Sequence, residues 1–154
     1  MMDKLSELMV AHPGLFRGTP PAVASELPAG WFDIVDALCR DIEALLGSEP
    51  DRFVVTQIKE KLGGLRFYFS VEGVEDMFVD MHTDRGVRTI VNKGDGPPLM
   101  DELRSLVAAS SLRSTITCQD CGASGVRAAR GAWVGTLCEA HALERERQRE
   151  GGGQ

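Results

Sequence analysis

A chain of 154 residues, 43% hydrophobic and 26% charged, is long enough for one globular domain that folds without disulfides. Its formal net charge of −6 argues against a protein that coats nucleic acid through a broad cationic surface. No window approaches the roughly 18 apolar residues that a membrane-spanning helix needs. The first 30 residues, with Asp3, Lys4, Glu7 and His12, hold no apolar run of signal-peptide length, so the expected setting is the cytoplasm. There, paired cysteines bind metal more often than they form disulfides.

Residues 3–11 read as a short helix with Leu5, Leu8 and Met9 on one side. The stretch "HPGLFRGTPPAVASELPAG" is rich in proline and glycine and reads as an irregular arm, pinned to the body by Leu15 and Phe16. Residues 31–46 give the clearest helical signal. At 100° per residue, Trp31, Ile34, Val35, Leu38, Ile42 and Leu45 share one arc, with Leu46 beside it and Gly47 as the stop. Cys39 flanks this stripe and reads as a small buried hydrophobe.

"RFVVTQIKEKLGGLRFYFSV" predicts a β-hairpin with Gly63-Gly64 as its two-residue turn. That turn pairs Leu62 with Leu65, Glu60 with Phe67 and Ile58 with Phe69 on a mostly apolar face. The other face pairs Lys61 with Arg66, Lys59 with Tyr68 and Gln57 with Ser70. Lys61 opposite Arg66 costs roughly a few tenths of a kcal/mol. Such a local conflict marks Gln57, Lys59, Lys61, Arg66 and Tyr68 either as a partner-binding face or as a solvated sheet face. Two further strands are expected around Asp84-Arg85-Gly86. Asp80, His82 and Asp84 fall at alternate positions there, a pattern that can bind a metal or move a proton but is also commonplace on exposed strands. "GDGPP" breaks the chain, and residues from about 98 to 112 read as a helix with Leu99, Leu103, Leu106 and Val107 inward. A charged helix ends the chain before a disordered tail at 151–154.

Three of the four cysteines lie between Thr117 and Ala142, as C-x2-C (Cys118, Cys121) and C-x2-H (Cys138, His141). Zinc takes four nitrogen or sulfur donors in a tetrahedron, and a two-residue spacer lets one tight turn present two of them. Gly122 supplies the positive φ that a zinc knuckle needs. Cys138 and His141, three apart at a helix start, share a face, and the helix N-terminus favours the thiolate. Knuckle, hairpin and helix in this order resemble a treble-clef zinc finger, with Trp133 placed to cover the metal. Four ligands leave no open position, so the zinc is read as structural. Some phage junction-resolving endonucleases have a similar knuckle and a similar late ligand pair. Their chemistry depends on histidine and aspartate between the pairs, and here the interval from 122 to 137 holds no His, Asp or Glu. Arg113, Arg127 and Arg130 add a small basic cluster around the finger, against Asp120. No G-x-S-x-G, H-E-x-x-H, G-x-G-x-x-G or phosphate-loop motif occurs.

"HPGLF", "GWFDIVDALCRDIEAL", "QIKEKLGGLRFYF" and "TCQDCGASG...GAWVGTLCEAHA" occur in the same order in a group of small phage, prophage and bacterial proteins that this chain resembles over most of its length. The resemblance implies a phage or mobile-element context and assigns no catalytic residue. The stretch from about 75 to 98 departs from the group's pattern as an insertion.

The sequence thus predicts an α+β domain over 1–112, with its irregular N-terminal arm and a small antiparallel sheet of two to four strands packed on helices. A zinc-finger module at 113–150 packs on it. The expected function is non-catalytic binding with one structural Zn2+. A protein partner is favoured over nucleic acid, and the latter would use the finger and the basic hairpin face, including Arg127 and Arg130.

Overall fold

A computed structural model describes residues 2–48, 52–73, 78–83, 86–91 and 98–152, with 78–83, 86–91 and 98 described by backbone course alone. The architecture is α+β: five helices and three separate two-stranded antiparallel sheets among the described residues.

Helix α1 (Lys4–Ala11) starts where the Asp3 side chain accepts from Ser6 N at 2.7 Å, an N-cap that also holds the Asp3 carboxyl below its usual range. Helix α2 (Pro13–Phe16) is a single turn opened by Pro13 and closed by Arg17 in the left-handed region, and it buries Leu15 and Phe16 as expected. A 3-10 turn at Ala29–Trp31 leads into α3 (Phe32–Leu46), which ends at Gly47. The stripe read from the sequence packs, except that Leu45 is only half-buried and its neighbour Leu46 is buried instead: Trp31, Ile34, Val35, Leu38 and Ile42 are buried, and so is Cys39 on the flank. Burial pushes the Cys39 thiol pKa up, with Glu43 and Asp36 adding to the shift.

Strands β1 (Phe53–Lys61) and β2 (Gly64–Val71) form the hairpin, but not in the expected register. The turn is Leu62-Gly63, both at positive φ (51° and 79°), and Lys61 pairs with Gly64, Lys59 with Arg66, and Ile58 with Phe67. The slip is by two residues, so the two faces keep their membership. A bulge between Val55 and Gln57 then lets Phe53, Val55 and Ile58 all enter the core, where Phe53 stacks on Phe69 at 5.1 Å.

Two strand-free segments cover the hairpin's edges. The arm runs along β1: Val23 N donates to Thr56 O, Glu26 N to Ile58 O, and Ile58 N to Ser25 Oγ. On the other side, Leu65 N donates to Ser114 Oγ and Ser111 Oγ donates to Leu65 O, both from α4 (Pro98–Ser114). These bonds occupy part of each edge, at Thr56 and Ile58 on β1 and at Leu65 on β2. The core face of the hairpin rests against α3 and α4, with Met100 and Leu103 completing the cluster. His12 is buried and bonds to Asp36 Oδ1 at 2.7 Å and to Glu43, which ties the arm to α3.

Strands β3 (Phe78–Thr83) and β4 (Gly86–Val91) pair with each other and form their own sheet, not an extension of the first. Strands β5 (Val126–Arg130) and β6 (Trp133–Leu137) make the third hairpin, followed by α5 (Glu139–Gly151). The tail is shorter than expected: Gly151 still belongs to α5 and Gly152 caps it through a bond to Gln148 O, while 153–154 lie outside the described residues.

Candidate metal centre

The segment after α4 folds as a knuckle. Cys118 N donates to Ala123 O at 2.7 Å, Gly122 N returns to Cys118 O at 2.9 Å, and Gly122 sits at φ 84°. Cys118 and Cys121 therefore point from one turn. The hairpin β5–β6 then carries the chain back, and Cys138 becomes the N-cap of α5 with His141 one turn on.

These four side chains, from two elements 16 residues apart in sequence, converge: all ligand atoms lie within 4.8 Å of one another. Cys121 Sγ is 3.8 Å from Cys138 Sγ, Cys118 Sγ is 3.6 Å from His141 Nδ1, and Cys138 Sγ is 3.2 Å from His141 Nδ1. A tetrahedral ion with sulfur at about 2.3 Å and nitrogen at about 2.0 Å has edges of roughly 3.8 Å between sulfurs and roughly 3.5 Å between sulfur and nitrogen. The residues present fit such an ion, with histidine offering Nδ1.

The electrostatics agree with a ligand set. The backbone N–H of His141, then its side chain, lower the Cys138 thiol to about 7. At Cys121 the Ala123 backbone pulls downward, but desolvation and the neighbouring sulfurs of Cys118 and Cys138 outweigh it and the net direction is up. His141 is raised, chiefly by its bond to Cys138. Sulfurs and imidazole thus share protons that a cation would displace. Cys118 is buried, Cys138 and His141 are half-buried, and Cys121 is exposed.

The centre is anchored to the body at close range. Trp31 Nε1 donates to Thr117 O and Gly30 N to Gln119 O, both at 2.9 Å. A Cβ on Gly30 would stand 2.1 Å from Cys118 O, so the arm's backbone lies flat against the knuckle. Thr136 Oγ1 donates to Gly63 O and Arg127 Nε to Leu62 O, each at 2.7 Å, so the metal-side hairpin holds both turn carbonyls of β1–β2. A side chain at 63 would meet Arg127, Gly135 and Thr136 at 3.1 Å, which is why the glycine is needed there and the turn is Leu62-Gly63. Turn propensity alone could not show this docking.

The other sequence-derived candidates are distributed differently. Gln57 Nε2 donates to Ala24 O and serves the arm. Lys59 lies 5.8 Å from the Tyr68 ring and faces Arg66, whereas Lys61, expected opposite Arg66, pairs with Gly64. Arg66 bonds Leu65 O, and Arg130 bonds Ala128 O and Gly135 O. Asp120 is 3.6 Å from Arg145. Trp133 stands at the far end of β6 from Leu137 and stacks under the Arg145 guanidinium at 4.1 Å, so it ties α5 to its hairpin. Asp80 and His82 take alternate positions of β3, opposite Thr89 and Val87, and Asp84 lies outside the described residues. Sequence reasoning missed Gly30, Gln119 and Thr136 as positioning residues. No local signal marks them; Glu60, the carboxylate on the otherwise apolar strand face, accepts from Gly63 N at 2.7 Å and so serves the turn.

Among the described residues, no helix is long and apolar enough to cross a membrane. No family model matches the chain, and no curated protein or solved structure is significantly similar to it.

Proposed function

We propose that this protein is a non-catalytic, cytoplasmic binding protein of phage or mobile-element origin, held in shape by one structural zinc ion in a treble-clef-like module. The observation that supports it most is the convergence of Cys118, Cys121, Cys138 and His141 within 4.8 Å, with three separations of 3.2, 3.6 and 3.8 Å near those of a tetrahedral zinc site. Cys118, Cys121, Cys138 and His141 fill the preferred shell, and the ion's contribution is to fasten α5 and the knuckle to each other. Elemental analysis should return one zinc per chain, and chelation should unfold 113–150 while the α3/β1–β2 core persists. A metal-free protein with an intact C-terminal module would end this reading.

The partner is a protein. The net charge of −6 disfavours phosphate backbones, and Gln57, Arg127 and Arg130 spend hydrogen bonds on this chain's own backbone. One observation favours a nucleic-acid reading: Arg127 touches Leu62, which joins the finger's basic cluster to Lys61 at the hairpin tip. Retention on DNA or RNA that falls steeply with salt would support that reading, because phosphate contacts release counterions.

A further inference from the structure

The four candidate ligands do not face solvent alike. Cys118 is 0% exposed, and Cys138 and His141 are half-buried. Cys121 is exposed, within a run from Asp120 to Ser124 that is exposed throughout. The two cysteines open to solvent are also close: Cys121 Sγ and Cys138 Sγ are 3.8 Å apart. The sulfur of the buried Cys118 is instead 3.6 Å from His141 Nδ1. Cys39, the remaining thiol, is buried on α3 within the main core.

This asymmetry bears on oxidation. A bound metal keeps its cysteines as thiolates, and thiolate is the form that peroxides oxidise. Exposure then decides which sulfur an oxidant reaches. Disulfide sulfurs stand about 2.05 Å apart, so the pair has to close by roughly 1.8 Å. Cys121 is exposed, so its side chain has room to turn. Cys121 belongs to the knuckle and Cys138 is the N-cap of α5. A bond between them ties the same two elements that the ion would tie.

We infer that Cys121 and Cys138 are a peroxide-oxidisable pair, whose disulfide displaces the zinc ion and takes over the fastening of the knuckle to α5. This rests on the structural-zinc reading. One thiolate of the pair attacks a peroxide oxygen: S–O forms, O–O breaks, and the leaving hydroxide takes a proton to become water. The other thiolate then attacks that sulfur: S–S forms, S–O breaks, and the second hydroxide also leaves as water. The two thiolates lose two electrons, the peroxide gains them, and two protons are consumed. Cys118 and His141 then remain, two donors where zinc takes four, and the ion departs. A dithiol reverses the change by exchange, supplying two electrons and two protons as its own disulfide forms.

The test treats the zinc-loaded protein with graded hydrogen peroxide. Zinc release is followed with a chromophoric chelator against a peroxide-free control. Disulfides are mapped by mass spectrometry of unreduced, alkylated peptides. We expect released zinc and the Cys121–Cys138 linkage to rise together, one for one. Cys118 and Cys39 should be recovered as alkylated thiols, and dithiothreitol with added zinc should restore the loaded form. The oxidised, zinc-free protein should keep hydrogen-exchange protection over 113–150, which the chelated, reduced protein loses. A linkage to Cys118, zinc release without a disulfide, or loss of that protection in the linked protein would each overturn the assignment. So would zinc retained at peroxide levels that oxidise a free-thiol reference peptide. Protein that carries no zinc before peroxide contradicts the structural-zinc reading instead, and mapping its disulfide still decides the pairing.

Discussion

Trp31 Nε1 donates to Thr117 O at 2.9 Å, across 86 residues of sequence. The indole is fully buried in the main core, and the carbonyl belongs to the residue before Cys118, the first of the four candidate ligands. One side chain thus belongs both to the hydrophobic core and to the metal centre. Trp31→Phe keeps most of the apolar surface but leaves Thr117 O without that donor. We expect a loss of about 1–3 kcal/mol, the cost of a buried unpaired acceptor. It would be read as a lowered denaturant midpoint with an unchanged slope.

Gly30 sits where the arm's backbone crosses the knuckle. Gly30→Ala would place a Cβ 2.1 Å from Cys118 O, 2.6 Å from Gly122 N and 2.7 Å from Gln119 C, all backbone atoms that cannot swing aside. We expect at least about 3 kcal/mol of destabilisation, above the usual overpacking cost because no side chain can yield. Weakened metal retention should accompany it, measured by competition with a chromophoric chelator.

How much of this was legible beforehand divides by mechanism. The α3 stripe and the four ligands follow from spacing, because helical periodicity and metal geometry are local rules, and both were readable. The turn at Leu62-Gly63 was not, because its carbonyls are held by Arg127 and Thr136, some 65 and 73 residues away. Leu15 and Phe16 pin the arm, as their apolar character implies, but its pairing along β1 depends on backbone bonds that leave no side-chain pattern. Gln119 was invisible as a positioning residue, since its role follows from the Thr136 N–H that its Oε1 accepts, 17 residues away.

Thiol reactivity should separate the cysteines. With metal bound, alkylation should be slow at all four. After chelation, Cys138, with its thiol lowered to about 7, and the exposed Cys121 should react ahead of the buried Cys118, which follows as the knuckle opens. Cys39 is buried and its thiol pKa is pushed up, so it should react only in denaturant. Intact-mass analysis should show three additions, then a fourth on unfolding. Early modification of Cys39 would contradict the burial described.

Metal retention should fall as pH falls through about 7. The thiolate of Cys138 is held at about 7, so it is present above that value and lost below it. His141, raised by the same neighbours, keeps its proton to higher pH than an ordinary imidazole and must shed it to ligate. Both signs run the same way. Apparent affinity should drop about tenfold per pH unit for each proton displaced. Competition titrations at several pH values would check this, and a flat profile would contradict it.

X-ray absorption at the zinc edge probes the centre most directly. Three sulfurs at about 2.3 Å and one nitrogen at about 2.0 Å, with no light-atom ligand from solvent, is the expected first shell. A shell with fewer than three sulfurs, or with a bound water oxygen, would contradict a closed structural site built from Cys118, Cys121, Cys138 and His141.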